Sequence, residues 1–279
     1  ILYPIRSMRA ASQGIRDEGG LEWACARTRP TWPASSPYVL SVGATMLTDK
    51  YERACEMQYS VSPLNPLLPE WSRLNVQCSG RGETVCSSTF GGVITSGGGF
   101  SDQFPRTLAP WQAAAVAHYL SPHSPSSSSS STPPSSMFNM SGRGYPDISA
   151  LGSTYLVSLG GRLLRESGTS ASAPVVAAMA TLWNDQRLSR GLPPMGLMTP
   201  FLYWAARQHP QAFNDVTTGD NACGVGFGLN TAPCCAHAFA AAPGWDAVTG
   251  LGSPNFQVLA ELALSCGGAG AGAGVGAGA

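Results

Sequence analysis

The 279-residue sequence has little charge. Only 11% of its residues are Asp, Glu, Lys or Arg, and 16 acidic residues balance 16 basic ones. Zero net charge excludes the broad basic footprint of a nucleic-acid-binding protein, and equally an acidic solvating tail. A long apolar run is also lacking. The longest, Ala173 to Trp183, spans 11 residues, whereas a membrane-spanning helix needs about 20. No two of the eight cysteines stand at the C-x-x-C spacing of a zinc site. None of the four histidines, at 118, 123, 209 and 237, sits upstream of a serine motif in the glycine-rich context of a general base. Each is expected to be a satisfied or exposed side chain.

What is present is glycine (33) and proline (22) against 43% hydrophobic residues, the composition of a folded, loop-rich protein of a secreted kind. An even number of unpatterned cysteines points to disulfides and an oxidising compartment. Cys223 lies 11 and 12 residues before the Cys234-Cys235 pair. A bridge from Cys223 to one of these would stabilise the loop by about 3 kcal/mol on the chain-entropy account. Adjacent cysteines rarely pair together, so the other is expected to seek Cys25 or Cys266. Asn139-Met140-Ser141 is a glycosylation acceptor tripeptide. The sequence opens on Ile1, which is expected of a processed chain or a fragment.

Residues 1–266 are expected to form the C-terminal part of one folded domain, interrupted by a Ser/Pro-rich surface insertion at 121–136. Residues 267–279, all Gly and Ala but for one Val, are expected to be a flexible tail. Tyr38–Val42 and Tyr155–Leu159 read as strands. Pro110–Leu120, Pro174–Leu188, Thr199–Arg207 and Phe256–Leu264 read as helices, three of them with proline at the entrance. Strands alternating with helices predict an α/β fold with a mainly parallel sheet.

The most informative stretch is Ser167-Gly168-Thr169-Ser170-Ala171-Ser172-Ala173-Pro174. It follows a strand and opens a helix, so Ser170 stands where free backbone N–H groups favour an oxyanion. This octet resembles the nucleophile motif of subtilisin-like and sedolisin-like serine peptidases. Other landmarks follow in the order of the sedolisin family: Pro33-Ala34-Ser35-Ser36-Pro37, Ser96-Gly97-Gly98-Gly99-Phe100-Ser101, Tyr145-Pro146-Asp147, Phe213-Asn214-Asp215-Val216 and Gly244-Trp245-Asp246.

The resemblance implies a subtilisin-like parallel sheet with helices on both faces, and peptide-bond hydrolysis in acid with Ser170 as nucleophile. Peptides or proteins would be the substrates, and a lysosome, vacuole or secreted acidic space the setting. Sedolisins replace the base histidine with a glutamate oriented by an aspartate, and use an aspartic acid as oxyanion donor. A carboxylate base titrates near 4.3, and an aspartic acid donates a hydrogen bond only while protonated, so such a site works in acid. The Glu/Asp pair is not found in this sequence. Glu18 and Glu22 stand four apart beside Gly19-Gly20, in the wrong place, and are expected to be solvated. The chain alone is therefore expected to be inactive, and an inert peptide-binding or structural relative is the alternative. Asp17 has roughly the offset of the oxyanion aspartate. Ser96, Gly97, Gly98 and Gly99 would form the edge along which a substrate backbone lies. One calcium ion would be held by the carboxylates of Asp215 and Asp246 and the carbonyls of Val216, Ala242 and Gly244. Asp147 is expected to hydrogen-bond backbone near the site rather than act as an acid.

Overall fold

The computed structural model of the chain describes residues 2–4, 25–47, 82–90, 92, 94–121, 133–153, 155–224 and 234–266. Asp17, Glu18, Glu22 and His123, most of the 121–136 insertion and the 267–279 tail lie outside these residues.

The core strand is β2, Leu40–Leu47, which is β-branched at Val42 and Thr45 and buried along its length save at Leu47. It pairs in parallel with β1 (Leu2–Pro4) and with β6 (Ile148–Leu151), and antiparallel with β3 (Glu83–Val85). The core sheet is thus mainly parallel, as expected, with one antiparallel strand, β3. The backbone of Leu251 and Gly252 takes the outer edge of β6, through Leu251 N–H to the Asp147 carbonyl and Ser149 N–H to the Gly252 carbonyl. The remaining strands form two-stranded pairs: β4 (Gly99–Pro105) with β5 (Gly142–Tyr145), β7 (Tyr155–Leu159) with β8 (Arg162–Glu166), and β9 (Phe213–Asn214) with β10 (Ser253–Pro254).

The segment Tyr155–Leu159 is a strand, as its composition requires, but it belongs to a hairpin outside the core sheet. Gly160 and Gly161 close that hairpin with φ of +58° and +73°. Two consecutive left-handed residues make the tight turn whose twist suits antiparallel strands. Alternation of residue types cannot reveal this partner, because it depends on the turn.

Four α-helices are described: α1 (Ala113–Tyr119), α2 (Thr169–Leu188), α3 (Thr199–Gln208) and α4 (Phe256–Ser265). Pro110–Gln112 forms a 3-10 turn ahead of α1, so the proline-led helix starts later than its sequence suggests. Helix α2 starts five residues before Pro174. In its second turn the proline lacks only the N–H that would meet the Ser170 carbonyl. Helix α2 packs across β1, β2 and β6, and α4 packs on α2. Leu40, Val42, Ile148, Ala150, Ala173, Val176, Trp183 and Leu259 join in the main apolar core. Buried Arg187 closes the far end of α2 by donating to the carbonyls of Pro193, Ala263 and Cys266. The last carbonyls of α4, which no helical N–H can reach, are satisfied this way.

Close backbone contact explains some glycines. Gly250 has φ +64°, and a Cβ there would lie 2.4 Å from the Asp147 carbonyl carbon. Gly250→Ala is expected to destabilise the fold by about 1–3 kcal/mol, combining overpacking with left-handed strain. Urea unfolding measures this, and an unchanged midpoint would refute it.

Candidate active site

Ser170 is exposed at the second position of α2. The turn that presents it is fixed from both sides. Gly168, with φ +154°, donates its N–H to the Gly152 carbonyl at 2.7 Å, just beyond the end of β6. The Ser172 hydroxyl, fully buried, reaches the carbonyls of Ala150 (3.1 Å) and Leu151 (3.0 Å), the last residues of β6. A Cβ on Gly152 would collide with that same hydroxyl at 2.9 Å. The start of α2 is therefore bolted to the carboxyl end of a core strand, the usual place for a site in such a sheet. The Ser170 hydroxyl makes no hydrogen bond among the described residues. Its surroundings supply a helix N-terminus, with N–H groups able to favour negative charge. The motif pointed to Ser170, but not to Ser172 as the residue that locks it.

None of the histidines described supports Ser170. His118 is exposed on α1 and His209 stacks edge-on against Trp204. His237 differs from the expected satisfied side chain, because its Nδ1 is buried with no hydrogen-bond partner among the described residues. Asp17 lies outside the described residues.

The Ser96–Gly99 run is tightly held. Ser96 is buried, and its hydroxyl accepts from Ala44 N–H (3.0 Å) and donates to the Val248 carbonyl (3.0 Å). A Cβ on Gly98 would meet the Ala247 carbonyl oxygen at 1.9 Å, and Gly99 already pairs with Tyr145 in the β4–β5 ladder. Ser96, Gly97 and Gly98 line one side of a small cavity whose other walls include Thr28, Tyr145 and His237.

Asp147 binds backbone. Its Oδ2 accepts from Ser41 N–H at 2.8 Å and from the Arg143 guanidinium, and its Oδ1 accepts from the Tyr203 hydroxyl at 3.3 Å. Arg143 also donates to the Ala34 carbonyl at 3.1 Å. Both members of this ion pair are fully buried. Burial pushes the Asp147 carboxyl upward while the guanidinium beside it pulls the other way. Burial, together with the neighbouring Asp147 charge, drives the Tyr203 phenol well above its ordinary range.

Asp215 and Asp246 are brought to one loop cluster. Asp215 Oδ2 accepts from Gly244 N–H at 2.8 Å. Asp246 is fully buried; its Oδ1 accepts from Val248 and Thr249 N–H and its Oδ2 from Ala242 N–H, with the Thr249 hydroxyl between the two oxygens. Burial lifts the Asp246 carboxyl to about 7 against those bonds. The carbonyls of Val216, Ala242 and Gly244 accept no hydrogen bond among the described residues. No group of three or more His, Cys, Asp or Glu side chains is placed to hold a metal among the described residues. A site at this cluster would rest on two carboxylates and backbone oxygens.

Among the described residues two disulfides involve the stretch between Asp215 and Asp246. Cys223 pairs with Cys234, and the neighbouring Cys235 pairs with Cys25, so the 11-residue loop and the partner for the second cysteine are as expected. These bridges fit an oxidising compartment. Among the described residues no helix is long and apolar enough to cross a membrane.

The chain matches the family model of the subtilase family over residues 26–200. It is 42% identical to physarolisin of Physarum polycephalum, over 82% of this chain and 36% of that protein. It is 35% identical to tripeptidyl-peptidase 1 of Dictyostelium discoideum, over 86% and 31% of the two, and 34% identical to that of Homo sapiens, over 92% and 39%. The chain thus spans about a third of the length of these relatives. A solved Pseudomonas sedolisin, a serine-carboxyl proteinase complexed with two molecules of pseudo-iodotyrostatin, shares the fold. The TM-score is 0.53 at 24% identity, covering 85% of this chain and 49% of that one.

Removing one member of the buried ion pair leaves an uncompensated charge in the core. Arg143→Met is expected to cost about 3–5 kcal/mol, measured by chemical denaturation. A loss under about 1 kcal/mol would show that Asp147 does not depend on its cation.

Proposed function

Because the chain belongs to the sedolisin family of subtilisin-like serine peptidases, we propose that it is the serine-bearing part of an acid-acting peptidase of the tripeptidyl-peptidase kind. The observation that carries this reading is the exposed Ser170 hydroxyl, held at a helix N-terminus by a turn locked to β6. In the reaction, Ser170 Oγ attacks the substrate carbonyl carbon, and its proton passes to a carboxylate base. The tetrahedral oxyanion is held by an aspartic acid, for which Asp17 is the candidate. Collapse expels the amine, which takes up the proton, and water then releases the acyl group. A substrate backbone would run beside Ser96–Gly99. The setting would be a lysosome, a vacuole or an acidic secreted space, which suits a carboxylate base and the disulfides.

Calcium is part of the proposal. The loop cluster fits a hard cation, because buried Asp246 has no positive side chain among its partners and three nearby carbonyls accept no hydrogen bond among the described residues. Asp215 and Asp246, with the carbonyls of Val216, Ala242 and Gly244, would hold it. When bound, the ion supplies charge balance, and its role would be to tie the loop before α4 to the loop after β9.

Ser170→Ala in the native protein, with whatever precedes this chain, is expected to lower peptide hydrolysis at pH 4 by about 10⁴-fold or more without changing the melting temperature. The 279-residue chain alone is expected to show no cleavage, and turnover by it would overturn the carboxylate assignment. Chelation of calcium is expected to lower the wild-type melting temperature, and to do so less in Asp246→Ala. An unchanged wild-type value would remove the metal from the proposal.

A further inference from the structure

One face of the core sheet is polar. Ser41 and Thr45 project from β2 on the same side, since strand residues alternate. Ser149 of β6 points the same way, because a Cβ on Gly43 would lie 2.5 Å from the Ser149 hydroxyl. Glu83 of β3 stands opposite Leu47, two residues beyond Thr45 and of the same parity. The hydroxyls of Ser41, Thr45 and Ser149 and the Oε2 of Glu83 are all buried with no hydrogen-bond partner among the described residues. Buried polar atoms are rarely left so, and four on one face call for a cause.

Glu83 is the only carboxyl in this group. Its Oε1 accepts one hydrogen bond, from Ser253 Oγ at 3.1 Å, and Ser253 in turn accepts from Asn214 Nδ2 at 3.2 Å. The Thr45 hydroxyl faces the carboxyl without closing a hydrogen bond of good geometry. The groups around Glu83 are thus Thr45 on β2, Ser253 and Asn214 on β10 and β9, and Tyr155 on β7. The Tyr155 phenol is raised to about 12, by burial first and the Glu83 charge second. No cationic side chain among the described residues faces the carboxyl.

We propose that Glu83 is a protonation latch, which holds the ends of β2, β3 and β10 together as the neutral acid and loosens them when it ionises. As the acid it carries a hydroxyl hydrogen that the Thr45 oxygen can accept, satisfying two orphaned atoms at once. As the carboxylate it is a half-buried charge that meets only the hydroxyls of Ser253 and Thr45, with no counter-ion among the described residues. Burial raises its titration above the ordinary carboxyl range. The sign follows from that direction. The folded chain keeps a proton that the unfolded chain releases, so the contribution is complete below the unfolded value near 4.3 and is lost as pH rises through the folded one. The latch is independent of the proposed catalysis and would operate in an inert relative.

Melting temperatures of the 279-residue chain and its variants between pH 4 and pH 7.5 test this. Glu83→Gln keeps the shape and cannot ionise. At pH 7.5 it is expected to melt about 2–4 °C above wild type, with no gain at pH 4. Taking the difference between the two chains removes the contributions of Asp147, Asp215 and Asp246. Ser253→Ala, which deletes the donor to the carboxylate, is expected to lower the melting temperature more at pH 7.5 than at pH 4. A Gln-minus-Glu difference that is the same at both pH values, or negative at pH 7.5, overturns the proposal. If the Gln variant does not fold, an equal loss from Ser253→Ala at both pH values overturns it instead.

Discussion

The Asp147 carboxylate holds together parts of the chain that are far apart in sequence. Through Ser41 N–H it grips the core strand β2, through Arg143 it reaches the Ala34 carbonyl ahead of that strand, and through Tyr203 it meets α3. Tyr203 leads on to Gln112, whose amide brackets Gly144 with one donated and one accepted hydrogen bond. Its own backbone joins Ser41 on one side and Leu251 on the other. A carboxylate in an apolar interior is costly unless it is paired and hydrogen-bonded. Here satisfying it requires donors from β2, β5 and α3 to arrive together, so the charge acts as a test of correct assembly.

The candidate nucleophile, Ser170, inherits its position from that assembly. Asp147 is the residue before β6, and β6 ends where Ser172 and Gly168 fasten the start of α2. The rigid line from Asp147 to Ser170 runs through four strand residues and one turn. Across the molecule, Trp245 donates to the Pro146 carbonyl at 2.9 Å, so the Asp246 loop is registered against the same strand. The candidate nucleophile and the candidate cation loop thus share one structural ruler.

Much of this was legible in the sequence, unevenly. The octet at 167–174 singled out Ser170 through its resemblance to a serine-peptidase motif, and the residue stands exposed at the start of α2. The disulfide from Cys223 was legible because the loop was short and one of two adjacent cysteines had to go elsewhere. Asp147 was read as a backbone-binding residue, and it is one. The antiparallel strand β3 was not legible, since it is three residues long with no periodicity to detect. The early start of α2 was hidden by Pro174, which reads as an entrance. Glu83 was overlooked because a lone Glu in a short strand looks solvated. Its partial burial comes from the partner segments at 45 and 253, which no local pattern records. The buried Nδ1 of half-buried His237 was missed for the same reason.

The bridge between Cys25 and Cys235 closes a ring of the polypeptide 210 residues around. A single cut of the backbone anywhere inside that ring opens it without separating the two pieces. Exposed segments receive such cuts first. The ring turns a severing event into a nick. The serine turn, the buried ion pair and the loop bearing Asp215 all lie inside it and stay in register with one another.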